Sequence, residues 1–273
     1  MKIWLDGALR DQESARISVR DHGLTVGDGV FESVKTLAGR PFALTRHLDR
    51  LARSAAGLGL PAPDPDEVRR AVAAVTAADP APLGFLRITY TGGVSPFGSQ
   101  RGDEPPTLVV AHAEVTRRPD TTAVITVPWT RNEHGATAGL KTTSYAENVI
   151  ALARAREQGA SEALFANTAG QLCEGTGSNV FVVLDGELLT PPLDSGCLAG
   201  ITRALTVQWT GARERALPLD VLERAEEIFL TSTLRDVQAV ARVDGRQLPG
   251  APGPVTTKAM RVFAERAAAD LDP

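Results

Sequence analysis

The chain has 273 residues, 43% of them apolar and 23% charged, with a formal net charge of -4. That length serves one large domain or two modest ones with a core of ordinary size, and the lack of a basic surplus disfavours a nucleic-acid partner. The N-terminus turns polar before a signal-type apolar region forms, and no apolar run reaches membrane-spanning length, so a cytoplasmic protein is expected. Cys173 and Cys197 make no disulfide framework. His22, His47, His112 and His134 are scattered, so no metal site is expected.

In chain order, Ile3 to Leu5 followed by Asp6-Gly7 predicts a short strand and a hairpin turn, with a second strand over 15–20. Arg20 to Glu32 holds three glycines, which permit backbone geometry that other residues resist. A strand over 31–37 follows. Leu48, Leu51, Ala55 and Leu58 predict a helix over 45–58, capped by Thr45 and stopped at Gly57 and Gly59. Arg50 stands beside that apolar stripe and reads either as a solvated helix arginine or as a ligand-binding one. A second helix runs from Asp66 to about Ala78. Strands over 85–91 and 108–113 flank a polar loop, 92–106, long enough to be functional or else a mobile hairpin tip. The pattern breaks near Thr116. The expected division is therefore an N-terminal domain over 1–116, a linker over 117–122 and a second domain over 123–273.

A strand over 123–127 and an irregular stretch lead to Lys141, followed by a helix over 145–158 that Gly159 ends. Alone, Lys141 reads as a surface lysine. Its neighbours Thr142, Thr143, Ser144 and Tyr145 add a run of hydroxyls suited to a phenolic oxygen and an imine. Glu174 lies between Cys173 and a Gly-Thr-Gly-Ser-Asn loop, with strands over 162–167, 172–174 and 180–184 around it. A partly buried carboxylate there needs a positive or hydrogen-bonding partner, either a protonated pyridine nitrogen or nearby backbone N–H groups. Gly200 precedes a helix over 202–213, leaving the Ile201 and Thr202 N–H groups open to an anion. Thr231, Ser232 and Thr233 end a strand over 227–230 with a hydroxyl cluster that also suits phosphate. A strand pair near 237–243, a turn at Asp244-Gly245 and a helix over 255–269 complete the chain.

Six motifs in order carry a resemblance over essentially the whole chain: Gly-Asp-Gly-Val-Phe-Glu (27–32), His-Leu-Asp-Arg-Leu (47–51), Gly-Leu-Lys (139–141), Glu-Gly-x-x-Ser-Asn-Val-Phe (174–181), Gly-Ile-Thr-Arg (200–203) and Thr-Ser-Thr (231–233). They resemble the fold-type IV pyridoxal-phosphate enzymes, or class IV aminotransferases. That resemblance implies an α/β (α+β) fold of two domains, a small N-terminal α/β domain and a larger C-terminal one with a mixed sheet or barrel. It implies pyridoxal 5′-phosphate in the cleft and a homodimer. Lys141 would be the Schiff-base lysine and would move the proton at the substrate's Cα. Glu174 would keep the pyridine nitrogen protonated. Arg50 would pair with the phosphate, joined by Ile201, Thr202, Ser232 and Thr233. Tyr145 would contact the phenolic oxygen, and Phe31 would line the substrate pocket.

Departures bear on the reaction. D-amino-acid transaminases of the best-known type carry an arginine and a histidine soon after Ser-Pro in the long loop. Here Ser95-Pro96 is followed by Phe-Gly-Ser-Gln-Arg, leaving Arg101 as the nearby cation for a substrate carboxylate. The tyrosine of that type is Phe31. The Gly-Gly-Arg-Gly-Tyr element frequent in aminodeoxychorismate lyases is absent too, yet the run from Lys141 to Asn148 resembles bacterial sequences grouped with that lyase. The leading expectation is a transaminase moving an amino group from a D-amino acid or (R)-amine to an α-keto acid. 4-Amino-4-deoxychorismate lyase is the alternative, and a branched-chain L-amino-acid transaminase comes third.

Overall fold

Asp6 and Gly7 take positive φ values of 43° and 81°, the geometry of a two-residue hairpin. The chain therefore returns at once, pairing β1 (Lys2–Leu5) with β2 (Ala8–Asp11). The strand expected over 15–20 does not form. The tight turn has already supplied β1 with its partner, and those residues are irregular and mostly exposed. The computed structural model describes residues 1–273. It comprises two compact units: Met1–Arg117 with Leu140–Tyr145 and Leu271–Pro273, and Arg118–Gly139 with Ala146–Asp270.

The first unit continues with α1 (His22–Thr25), β3 (Gly29–Leu37), β4 (Arg40–Pro41), α2 (Leu44–Gly57), α3 (Pro65–Ala78), β5 (Leu83–Thr91) and β6 (Thr107–Glu114). Its six strands run in the order β2-β1-β6-β5-β3-β4, each pairing antiparallel. Val30 and Val34 of β3 and Leu86 and Ile88 of β5 pack with Leu48, Leu51 and Ala55 of α2 and Val68, Val72 and Val75 of α3. Each large side chain so buried contributes about 1.5–3 kcal/mol. Because strand side chains alternate, Phe31 and Arg87 fall on the face away from the helices. That alternation positions the site.

Helix α2 begins at Leu44, and Ala43 before it sits in the left-handed region without a capping side chain. Thr45, expected as the cap, instead gives its N–H and hydroxyl to Asp272 at 2.9 and 2.6 Å. A carboxylate distant in sequence caps this helix, which local pattern cannot reveal.

The second unit holds β7 (Thr121–Arg131), α4 (Ala146–Glu157), β8 (Glu162–Asn167), β9 (Leu172–Gly175), β10 (Asn179–Leu184), β11 (Glu187–Thr190), α5 (Ile201–Thr210), β12 (Arg213–Glu214), α6 (Val221–Arg224), β13 (Glu227–Ser232), β14 (Asp236–Val243), β15 (Arg246–Gln247) and α7 (Pro254–Ala269). Its mixed sheet runs β12-β11-β10-β13-β14-β7-β8-β9, with β15 on β14. Strand β7 pairs parallel with both β8 and β14. It outlasts the strand expected over 123–127 because its register shifts between Thr126 and Thr130, which breaks the alternation a sequence reading relies on. One core gathers Val124, Leu164, Val180, Val182, Ile228, Leu230 and Val240. A second sets Ile125, Val127 and Phe165 against Ala151 and Ala155 of α4. No helix is long and apolar enough to cross a membrane.

Candidate active site

In the first unit, residues 140–145 run along the open edge of β3. Phe31 N–H donates to the Lys141 carbonyl at 3.0 Å, and Thr143 N–H to the Gly29 carbonyl at 2.8 Å. Val30 and Thr142 form an isolated antiparallel bridge. Gly27 makes the approach possible: its φ is +70°, and a Cβ there would lie 2.6 Å from Ser144 Oγ. The Lys141 N–H is held by Ser54 Oγ at 3.2 Å. Lys141 is thus fixed through both its backbone N–H and its carbonyl.

Its side chain meets an aromatic pair. Lys141 Nζ lies 4.3 Å from the Phe31 ring centre and 6.0 Å from that of Tyr145. Those rings stand edge to face at 5.2 Å. The Arg87 guanidinium lies 3.4 Å from the Phe31 ring centre. Burial pulls the Arg87 pKa down to about 10 against the opposing pull of Tyr145 and Glu32, which leaves it a cation at neutral pH. Sequence reasoning missed Arg87. The available signal was a charge between core residues Leu86 and Ile88, hence on the opposite face.

Arg50 is buried on α2, where it donates to both oxygens of Glu32 at 2.8 and 2.7 Å. His47 Nδ1 lies 2.6 Å from the same carboxylate. Burial alone would raise the Glu32 pKa, but Arg50 and His47 outweigh it and hold the group at about 2. Burial pushes His47 below its ordinary value, against the pull of Glu32. Arg101 is engaged with Asp28 at 2.7 Å and with the Leu58 and Gly59 carbonyls.

In the second unit, Glu174 accepts the Leu198 backbone N–H at 2.9 Å. Its other oxygen lies 3.2 Å from Arg131 Nε, whose guanidinium stacks 4.0 Å from the Phe165 ring centre. Glu174 thus has a backbone N–H and a cation as partners, the cation being Arg131. Arg131 was not legible because β7 is irregular where it arises. Helix α5 opens on Gly200 with no side-chain cap, and a Cβ on Gly200 would collide with Asn179 Oδ1. Asn179 pairs in register with Thr231, whose buried hydroxyl has no hydrogen-bond partner. Ser232 and Thr233 follow, half-buried. Burial raises the Cys197 thiol to about 11 and lifts Cys173 as well, so both stay protonated and neither is a nucleophile.

The class IV aminotransferase model matches residues 29–243. The chain belongs to this family. A protein of Methanocaldococcus jannaschii, provisionally named a branched-chain-amino-acid aminotransferase, is 32% identical over 97% of this chain and 96% of its own. A bifunctional aminodeoxychorismate lyase / D-amino acid transaminase of Mycobacterium tuberculosis is 32% identical over 92% and 94%. A hypothetical aminotransferase from Mycobacterium tuberculosis, solved in a PLP-bound form, superposes with a TM-score of 0.87 at 29% identity, covering 99% of this chain and 100% of that one.

The class IV aminotransferase's cofactor is pyridoxal 5′-phosphate. The donor set of each unit fits it. An uncapped helix start beside a partnerless buried hydroxyl suits a phosphate. A carboxylate set between a backbone N–H and an arginine offers an acceptor of the kind a protonated ring nitrogen needs. A lysine fixed through its backbone against two aromatic rings suits an aldehyde.

Proposed function

We propose that this class IV aminotransferase moves the amino group of a D-amino acid to an α-keto acid, with Lys141 as its catalytic residue. Arg87 carries the reading. The ring of Phe31 has the Lys141 amine 4.3 Å and the Arg87 guanidinium 3.4 Å from its centre. An amino acid has its reacting Cα–H and its carboxylate one bond apart, so a proton-moving amine and a carboxylate-binding cation must lie near one another, and here both approach a single ring. An (R)-amine lacks the carboxylate and would leave Arg87 unmatched. Bound pyridoxal phosphate supplies the electron sink that makes the Cα–H acidic. Lys141 would take that proton and move it away from Cα, Glu174 would keep the ring nitrogen protonated, and Tyr145 would contact the phenolic oxygen. Ile201, Thr202, Ser232 and Thr233 would hold the phosphate, Arg50 would join them only through the part of its guanidinium that Glu32 does not take, and Phe31 would floor the substrate site.

The D configuration rests on the Mycobacterium tuberculosis relative. That same relative supports the second reading, 4-amino-4-deoxychorismate lyase, whose substrate also carries carboxylates. The Methanocaldococcus relative keeps branched-chain L-amino acids as a third. We further assign a homodimer, supported by the exposed apolar Ile17, Val19, Leu24 and Val26, and a reducing cytoplasm, supported by two free thiols.

Arg87→Ala tests the reading. A charge-assisted carboxylate contact contributes about 2–3 kcal/mol, so kcat/KM for D-alanine falls roughly 30- to 100-fold. Turnover of (R)-1-phenylethylamine changes little. An equal fall on both donors would sink the carboxylate role. Wild-type turnover of L-leucine but not D-alanine would overturn the D assignment, and release of 4-aminobenzoate from aminodeoxychorismate would establish the second reading.

A further inference from the structure

The long loop 92–106 is docked along the glycine-rich strip 20–28 by bonds graded from base to tip. At the base, Asp21 accepts the hydroxyls of Thr91 and Thr107 at 3.0 and 2.7 Å, one from each flanking strand. Further out, His22 N–H donates to the Gly93 carbonyl at 2.9 Å and Ser95 N–H to the Arg20 carbonyl at 3.2 Å. His22 Nε2 reaches the Gly98 carbonyl at 2.9 Å, while its Nδ1 lies 3.0 Å from Asp28. Arg101 closes the far arm. Its Nε and Nη2 take the two oxygens of Asp28 at 2.7 Å each. Nη2 also reaches the Leu58 carbonyl at 2.7 Å and Nη1 the Gly59 carbonyl at 3.0 Å.

We infer that Arg101 and Asp28 form a latch that holds loop 92–106 against the strip leading into Phe31, and that Arg101 is a positioning residue rather than the substrate's carboxylate ligand. A guanidinium has five N–H donors in a fixed fork. Here its forked edge is filled by Asp28 and two further N–H groups by carbonyls just past the end of α2, where a cation is favoured. A substrate carboxylate would have to displace a bidentate ion pair whose carboxylate is 12% exposed. The latch also explains why Asp28, in the middle of the glycine-rich motif, is charged: the bond from Arg101 keeps its pKa below the usual carboxylate range despite burial. The inference shares with the proposed reading only the donors used to probe it.

Chymotrypsin cleavage of the holoenzyme at Phe97, which is 76% exposed on the loop, reads the latch without any substrate. Local opening limits such cleavage, so Arg101→Ala and Asp28→Asn each speed it about tenfold, and the double variant is no faster than either single one. Arg101→Lys, which cannot fork, recovers only part of the protection. In steady state, Arg101→Ala raises KM for a donor amino acid and for the corresponding amine without a carboxylate by the same factor, with kcat less affected. Unchanged cleavage rates in both single variants would overturn the latch. A KM increase confined to the carboxylate-bearing donor would instead make Arg101 a substrate ligand.

Discussion

At the scale of single residues, one aromatic ring organises the chemistry of the first unit. Phe31 carries Lys141 and Arg87 against its ring and Tyr145 at its edge. Aromatic faces attract cations, so the ring gives both side chains a defined seat. Lys141 is the group whose loss no neighbour can repair, since Arg87 cannot be deprotonated to act as a base. Lys141→Ala abolishes turnover, and borohydride treatment of the holoenzyme fixes cofactor to the wild-type peptide containing residue 141 but not to the variant. Label on another lysine of the wild type would remove the assignment. The identity of Lys141 was legible from its motif. Its seat was not, because Phe31 and Arg87 become neighbours only when β3 and β5 pair.

At the scale of elements, the turn after β9 is held from behind. Glu162 on β8 is buried, and its carboxylate accepts the Thr176 N–H at 3.0 Å, the Thr176 hydroxyl and the Ser178 hydroxyl at 2.9 Å. Arg235, just past β13, lies 3.3 Å away and also holds Gln238 and the Ser161 carbonyl. Glu162 thus ties the loop next to Glu174 to the turn that follows Ser232 and Thr233. Removing one partner of a buried ion pair costs about 3–5 kcal/mol, because the other charge is left uncompensated. Glu162→Ala accordingly lowers the melting temperature of the apo protein by many degrees and weakens cofactor binding in titrations followed by fluorescence. An apo protein of unchanged stability would show that the network is not what holds this turn. Strand β8 itself was legible from its apolar run. The role of its first residue was not, since its partners lie 14 to 73 residues away.

At the scale of the molecule, acid is the predicted weakness. Glu32 drops from an ordinary 4.5 to about 2 on folding, and His47 falls below 6.5. Both groups therefore bind more protons unfolded than folded, so stability rises with pH. The contribution is complete above about pH 6.5 and is lost on acidification, first through His47 and then through Glu32 between pH 4.5 and about 2. For Glu32 the loss amounts to about 3 kcal/mol. Melting temperatures measured from pH 7 to 3 should fall steeply in wild type and less steeply in Glu32→Gln. Parallel slopes would show that the Glu32, His47 and Arg50 cluster does not govern acid unfolding.

The sequence by itself determined the family, the cofactor and most of the elements. Motifs record local chemistry, and apolar periodicity records which face of a strand or helix is buried. Tertiary structure alone decided that residues 140–145 join the first unit through β3, that Asp272 rather than a local residue caps α2, and that the irregular end of β7 delivers Arg131 to Glu174. It also turned Arg101 toward Asp28 and set Arg87 and Lys141 against the ring of Phe31. Each of these joins residues far apart in the chain, and such pairings are selected by backbone hydrogen bonding and charge compensation, which leave no periodic trace along a sequence.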